Sequence, residues 1–310
     1  MQSEAAAVHL EGAELSRTDF RNAVLGNGRF EGSDLFEASI SGAMLYRAHL
    51  NGVDARRACF GGANLRLASL DSATELADAS FGTESRNGAT LVDVRWGRAN
   101  LTNIEWSSVR RFGGETSAGI PRRKSESSPI ETQTAEYERA ARAYRQVAAI
   151  LRAQGVVDHA DRFSLRAQHC QRRVLWRRRN YARYLGSFLL NLISGYGYRP
   201  LRNVATYAIA ILSFAALYWC VTNGVSLTFG LFTNVVAWLG MAPPPPQPHR
   251  LERYEAVVLS MSSFHGRGFY WPTQSPVDKV AILGAIEATI GLLIEITFIA
   301  TFTQRFFARQ

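Results

Sequence analysis

Between positions 15 and 70 every fifth residue is Leu, Phe or Ile, apart from Ala55, and the residue two positions earlier is almost always small. An α-helix would spread such a period around its surface by about 140° per step, and a strand would throw alternate members to opposite faces. Only a coil that turns a corner every five residues keeps the whole apolar set inside. One extra residue after Leu70 shifts the frame, which resumes at Leu76, Phe81, Leu91, Trp96, Leu101 and Trp106, with Arg86 as the misfit. A bulge is expected at 71–75 and another near Arg86. Trp96, Trp106 and Phe112 are expected to close the stack, since stacked repeats need capped ends.

The pattern changes after residue 112. Residues 113–132 are rich in Gly, Ser, Pro and charge, which predicts a flexible linker with too little apolar surface to order itself. Tyr137, Ala141, Tyr144, Val147 and Leu151 then follow at helical spacing up to a stop at Gly155, and a second helix is expected beyond it. Residues 133–182 therefore read as a helical hairpin. Residues 183–200 combine aromatic and apolar positions with a strongly basic approach, as an interfacial segment requires. Residues 204–221 and 280–302 are apolar runs of bilayer length. The helical stretch ahead of the second run is too short to cross and leads into "HGRG", which predicts a loop that enters the membrane and turns back. Residues 225–241 are expected to lie on or cap the outer face.

The segments "GANLRLASL" and "RANLT" resemble the pentapeptide-repeat family. The resemblance implies a right-handed, four-sided β-helix over residues 8–112, with twenty residues per coil. At a strand spacing of ~4.8 Å that amounts to roughly five coils and a length of about 25 Å. Some members of that family mimic DNA, which demands a dense acidic surface. Residues 8–112 hold 12 of the chain's 35 basic and 13 of its 26 acidic residues, so this region is nearly neutral and nucleic acid is not an expected partner. The excess positive charge lies in the other 23 basic residues, set against 13 acids. A role in assembly or regulation, with a protein partner still to be identified, is expected for the repeats.

The order of elements in residues 201–310 resembles the two-span potassium-channel family: outer helix, pore helix, filter, inner helix. That resemblance implies a homotetramer, because one re-entrant loop cannot enclose an axis. It places the filter or pore loop at Ser262, Ser263, Phe264, His265, Gly266, Arg267 and Gly268. Gly266, Arg267 and Gly268 would occupy the positions of the family's Gly-Tyr-Gly, so the filter is atypical. Arg267 would project behind the pore toward Glu287 and brace the filter through a buried ion pair. Glu287 and Glu295 read either as pore support and cavity residues or as helix-packing partners. Gly291 reads equally as a bend and as a small packing residue. His265 reads as a pH-sensitive group or as a loop hydrogen-bonding residue.

Cys59, Cys170 and Cys220 have neither disulfide nor zinc-ligand spacing. No phosphate loop, catalytic triad or metal-ligand cluster is present in the pattern, so neither an enzyme nor a cofactor is expected. "MQSEAAAVHLEG" lacks a basic start followed by an apolar run, and both termini are expected on the cytoplasmic side of the plasma (inner) membrane. The expected function is a tetrameric, cation-conducting channel in a lipid bilayer. A non-conducting membrane-anchored scaffold and an anion-preferring pore are the alternatives.

Overall fold

Each inward apolar residue opens a tight turn. The carbonyls of Leu10, Leu15, Phe20 and Leu25 accept from the amides of Ala13, Thr18, Ala23 and Gly28 at 3.1–3.2 Å. The third residue of each turn has positive φ: Gly12 at 64°, Arg17 at 58°, Asn22 at 59° and Asn27 at 56°. That combination is a type II turn, which turns the chain a corner and explains the five-residue step. Four corners complete a coil, so parallel bridges pair residues twenty apart: His9 with Arg29, Glu14 with Asp34, Asp19 with Ser39 and Val24 with Met44.

The computed structural model describes residues 7–83, 88–119, 129–195, 200–222, 252–266 and 279–307. These divide into two compact units, Met1–Ser187 and Phe188–Gln310. In the first, the bridges among the described residues are isolated and do not lengthen into strands. The twenty-residue spacing is that of the expected four-sided β-helix, and a corner every five residues leaves too little extended backbone on each side for more than one bridge. The hydrogen-bond ladder between coils is nevertheless continuous, as in Leu15 N–H to Asp34 O at 2.8 Å and Leu35 N–H to Asp54 O at 2.7 Å.

Leu35, Leu45, Phe60 and Leu91 fill the interior beside fully buried Ala38, Ala43, Ala63 and Ala68. The small residues leave room for the large ones to stack. Burying each large side chain contributes about 1.5–3 kcal/mol. The bridge spacing grows to 21 at Asp54 and Glu75, and to 26 at Asn64 and Thr90. The first increment is absorbed at Asp71, whose carboxylate accepts from the Gly52 and Ala73 amides at 2.9 and 3.1 Å. The second is a loop closed by an antiparallel bridge between Gly82 and Gly88; Arg86 lies outside the described residues.

Helices α1 (Gly113–Gly119), α2 (Pro129–Ala153) and α3 (Val157–Arg177) follow. Residues 113–119 were expected within the linker and instead form α1. Its Glu115 is buried, accepting the Tyr144 hydroxyl at 2.7 Å with the Arg166 guanidinium at 3.5 Å. A polar segment is ordered here because tertiary partners satisfy its charge. Gly155, at φ 84°, turns α2 into α3. The two helices cover the last coil through an aromatic column. Phe60 stacks on Phe81 at 5.1 Å and Phe81 on Trp106 at 5.6 Å, and Phe163 meets Trp106 at 5.4 Å and Phe112 at 5.0 Å. Gln154 of the turn adds polar closure: it accepts from Leu101 N–H and donates to Ala99 O, each at 2.9 Å. Exposed ladder groups of an edge coil are thereby paired and blunted. Burial of the Cys170 thiol on α3 pushes its pKa up to about 12.

The remaining helices are α4 (Tyr181–Ser194), α5 (Pro200–Thr222), α6 (Arg253–Phe264) and α7 (Lys279–Phe307). α4 presents Leu185, Phe188, Leu189 and Leu192 to solvent, consistent with its amphipathic pattern. Two stretches, Arg202–Thr222 and Val280–Ala300, are long and apolar enough to cross a membrane, with few of their residues buried within the chain. The 12 residues of α6 extend only about 18 Å. Residues 225–241 lie outside the described residues.

Candidate functional site

α6 packs against both α5 and α7, and its inward face sets polar Ser260 and Ser263 among apolar Ala256 and Phe264. Ser260, Ser263 and Phe264 are buried, together with Glu287 from α7 and Tyr218 from α5. The capping box of Glu252 and Glu255 sets the start of α6, with Glu252 N–H donating to Glu255 Oε2 at 2.8 Å. Small residues on α7 permit the close approach. A Cβ on Gly284 would lie 3.4 Å from Tyr218 Oη, and one on Gly291 would collide with the Phe264 carbonyl oxygen. Gly291 is thus a packing residue at the end of α6.

Glu287 is the centre of this interface. Its Oε2 accepts the Tyr218 hydroxyl at 2.8 Å and its Oε1 meets the Ser260 hydroxyl at 2.5 Å. Ser260 Oγ also lies 2.9 Å from the Ile211 carbonyl, so one serine joins all three helices. Both carboxylate oxygens are occupied by hydroxyls. The expected partner of Glu287, Arg267, lies outside the described residues, as does Gly268.

A second group gathers at the carboxyl end of α6. His265 caps the helix, with Nδ1 2.8 Å from the Met261 carbonyl. A carbonyl only accepts, so Nδ1 carries the hydrogen. In the neutral ring Nε2 is then the acceptor, and it sits 3.1 Å from Tyr207 Oη and 3.6 Å from Glu295 Oε1. Gly266 follows in the left-handed region at φ 67°, with its amide donating to Ser263 O at 2.9 Å. This is the reversal a helix needs to end abruptly.

The structure therefore separates the two α7 carboxylates, one inside the three-helix contact and one beside the imidazole. It places Ser263 and Phe264 in packing positions, where Phe264 meets the Tyr207 ring at 4.8 Å. The hydroxyl of Ser262 bonds back to Val258 O within α6 at 2.6 Å. Tyr207, Tyr218 and Ser260 are the participants that sequence reasoning passed over. A hydroxyl within a bilayer-length span or on the short helix facing a carboxylate was the available signal.

The family described as Pentapeptide repeats (8 copies) matches residues 13–52. No curated relative matches the chain. Among solved structures, a pentapeptide repeat protein from the thylakoid lumen of Arabidopsis thaliana is similar, at 26% identity and TM-score 0.25, over 33% of this chain and 63% of its own. HetL, a pentapeptide repeat protein of the cyanobacterium Nostoc involved in heterocyst differentiation regulation, matches at 28% identity and TM-score 0.22, over 31% of this chain and 46% of its own. Rfr23 of the cyanobacterium Cyanothece matches at 21% identity and TM-score 0.18, over 32% and 83%. The chain thus spans less than two thirds of the first two relatives. With the five-residue turns, the twenty-residue bridge spacing and the match over residues 13–52, the amino-terminal part of this chain is a pentapeptide-repeat domain.

Proposed function

We propose that the chain is the subunit of a homotetrameric, cation-conducting channel in the plasma (inner) membrane, with both termini cytoplasmic. The observation that carries this reading is α6 itself. It is a helix too short to cross, held between two membrane-length helices by buried Ser260, Tyr218 and Glu287, and ended by a left-handed glycine at Gly266. Short helices and irregular backbone at membrane depth are tolerated where protein or a water-filled cavity surrounds them. In this reading α6 ends at Phe264, so the axis-facing loop begins only at His265, where Gly266 reverses the chain, and Glu295 contributes negative charge near it. The repeat domain serves assembly or regulation through a protein partner.

Purified full-length protein in planar bilayers under a potassium chloride gradient tests the proposal. A reversal potential on the potassium side, from particles of tetrameric mass, is the expected result. A potential of the opposite sign identifies an anion-preferring pore. Silent bilayers at verified protein incorporation overturn conduction in favour of a membrane-anchored scaffold.

A further inference from the structure

Within the first unit, α2, α3 and the first turn of α4 line an open surface cavity of about 320 Å³, with its arginines solvent-exposed, that the function above does not use. Arg142, Arg145, Arg178 and Arg183 line it, and Glu138 is the one acidic residue among the lining side chains. The lining therefore carries three more positive than negative charges. Glu138 meets Arg178 at 2.5 Å, which satisfies one guanidinium. Arg142 has Asp93 at 3.6 Å, and Arg145 donates to the neutral amide of Gln171 at 2.9 Å. The guanidinium of Arg183 makes no ion pair or hydrogen bond among the described residues. Arg142 and Arg145 are three apart on one helix, where like charges repel.

Helix ends add a second, independent bias. Asn180 lines the same cavity and caps α4, its side-chain oxygen 3.4 Å from the Arg183 amide. The amino-terminal turn of α4 thus opens at the cavity, where helix amides and dipole favour negative charge. The opposing carboxyl end of α3 is neutralised by its own chain: the carbonyls of Val174, Leu175 and Trp176 accept from Arg178, Asn180 and Arg179 at 2.9–3.1 Å.

We infer that this cavity binds a phosphate-bearing anion. Guanidinium forks match the paired oxygens of a phosphate, and a cluster of them exceeds what a single carboxylate requires. The volume falls at the small end of ligand pockets, which fits a phosphate monoester or diester group with a small polar substituent. A soluble phosphate ester and the headgroup of an anionic lipid share that chemistry. The second source is available because Leu185, on the turn of α4 after Arg183, is exposed.

Two arms separate these sources, both with the full-length protein. In detergent, calorimetric titration with inorganic pyrophosphate is expected to show one saturable site per subunit. In nanodiscs of phosphatidylcholine containing phosphatidylglycerol, native mass spectrometry is expected to show one retained phosphatidylglycerol per subunit. Saturable pyrophosphate binding assigns a soluble ester, and retention of phosphatidylglycerol alone assigns a headgroup. In either case the Arg145→Gln/Arg183→Gln variant weakens binding at least about tenfold, while Arg47→Gln, on the coils, leaves it unchanged. If the double variant does not fold, Arg183→Gln alone carries the test, because that guanidinium has no partner among the described residues to lose. Absence of both interactions, or equal binding by folded variants, overturns the assignment. Neither arm reads conductance, so failure here is distinct from failure of the channel proposal.

Discussion

In the coils the buried residues are apolar apart from Ser33 and Thr74: Leu91, Leu101, Ala63 and Ala68 have no exposure. In α5 to α7 Ile211, Leu283 and Ile294 are also buried, but Ile209 and Ile299 are exposed at 63% and 62% while Ser260 and Glu287 are fully enclosed. The coils are held by removing apolar surface from water, with backbone amides paired between layers. Apolar contact gives little preference between helices surrounded by lipid, so packing of small residues and buried hydrogen bonds must position them. The difference teaches that hydrophobic pattern specifies structure in the first unit, and that a few polar contacts do so in the second.

The strongest test of that contrast removes core volume from the first unit. Trp106→Ala empties the aromatic column between Phe81 and Phe163 and should cost about 3–5 kcal/mol in the unfolding of the repeat and hairpin, read from the denaturation midpoint. The matching test in the second unit removes a charge. Glu287→Ala removes the acceptor of the Tyr218 hydroxyl, at about 1–3 kcal/mol, and leaves Ser260 with the Ile211 carbonyl, measured by unfolding in detergent. Glu287→Gln keeps an oxygen and a donor in place and should cost less. If Arg267 instead pairs with Glu287, the Gln variant costs about 3–5 kcal/mol as well, and the hydroxyl account of this contact fails.

Gly291→Ala places a methyl against the Phe264 carbonyl and should destabilise the α6–α7 contact by about 1–3 kcal/mol. Hydrogen exchange at α6 would register the displacement. Gln154→Ala leaves the Ala99 carbonyl and Leu101 amide without their side-chain partner, for about 1–2 kcal/mol, visible as faster amide exchange at Leu101. The smallest effect has the opposite sign. Leu67 holds a left-handed φ of 59° at a coil corner, a conformation asparagine tolerates better. Leu67→Asn should raise stability by about 0.5 kcal/mol, read as a higher melting temperature.

Several elements were legible in the chain because they are local. The five-residue period, the frame shift after Leu70, the helix stop at Gly155 and the two bilayer-length runs each depend on neighbours a few positions away. That each side of the coil makes only a single bridge follows from the same period, because the type II corners consume the backbone that longer pairing would need. The ordering of α1, by contrast, was hidden: Glu115 finds Tyr144 and Arg166, which are 29 and 51 residues distant.

The amino acids by themselves determined which residues face inward in the coils, where each turn falls, and which segments suit lipid, since all three follow from periodicity and local backbone preference. Tertiary structure alone decided that the hairpin closes the last coil, that Glu287 meets Tyr218 across 69 residues and Ser260 across 27, and that Glu295 goes to His265 instead. A polar side chain in an apolar run announces that it needs a partner. Its choice among distant hydroxyls and charges depends on how the helices pack.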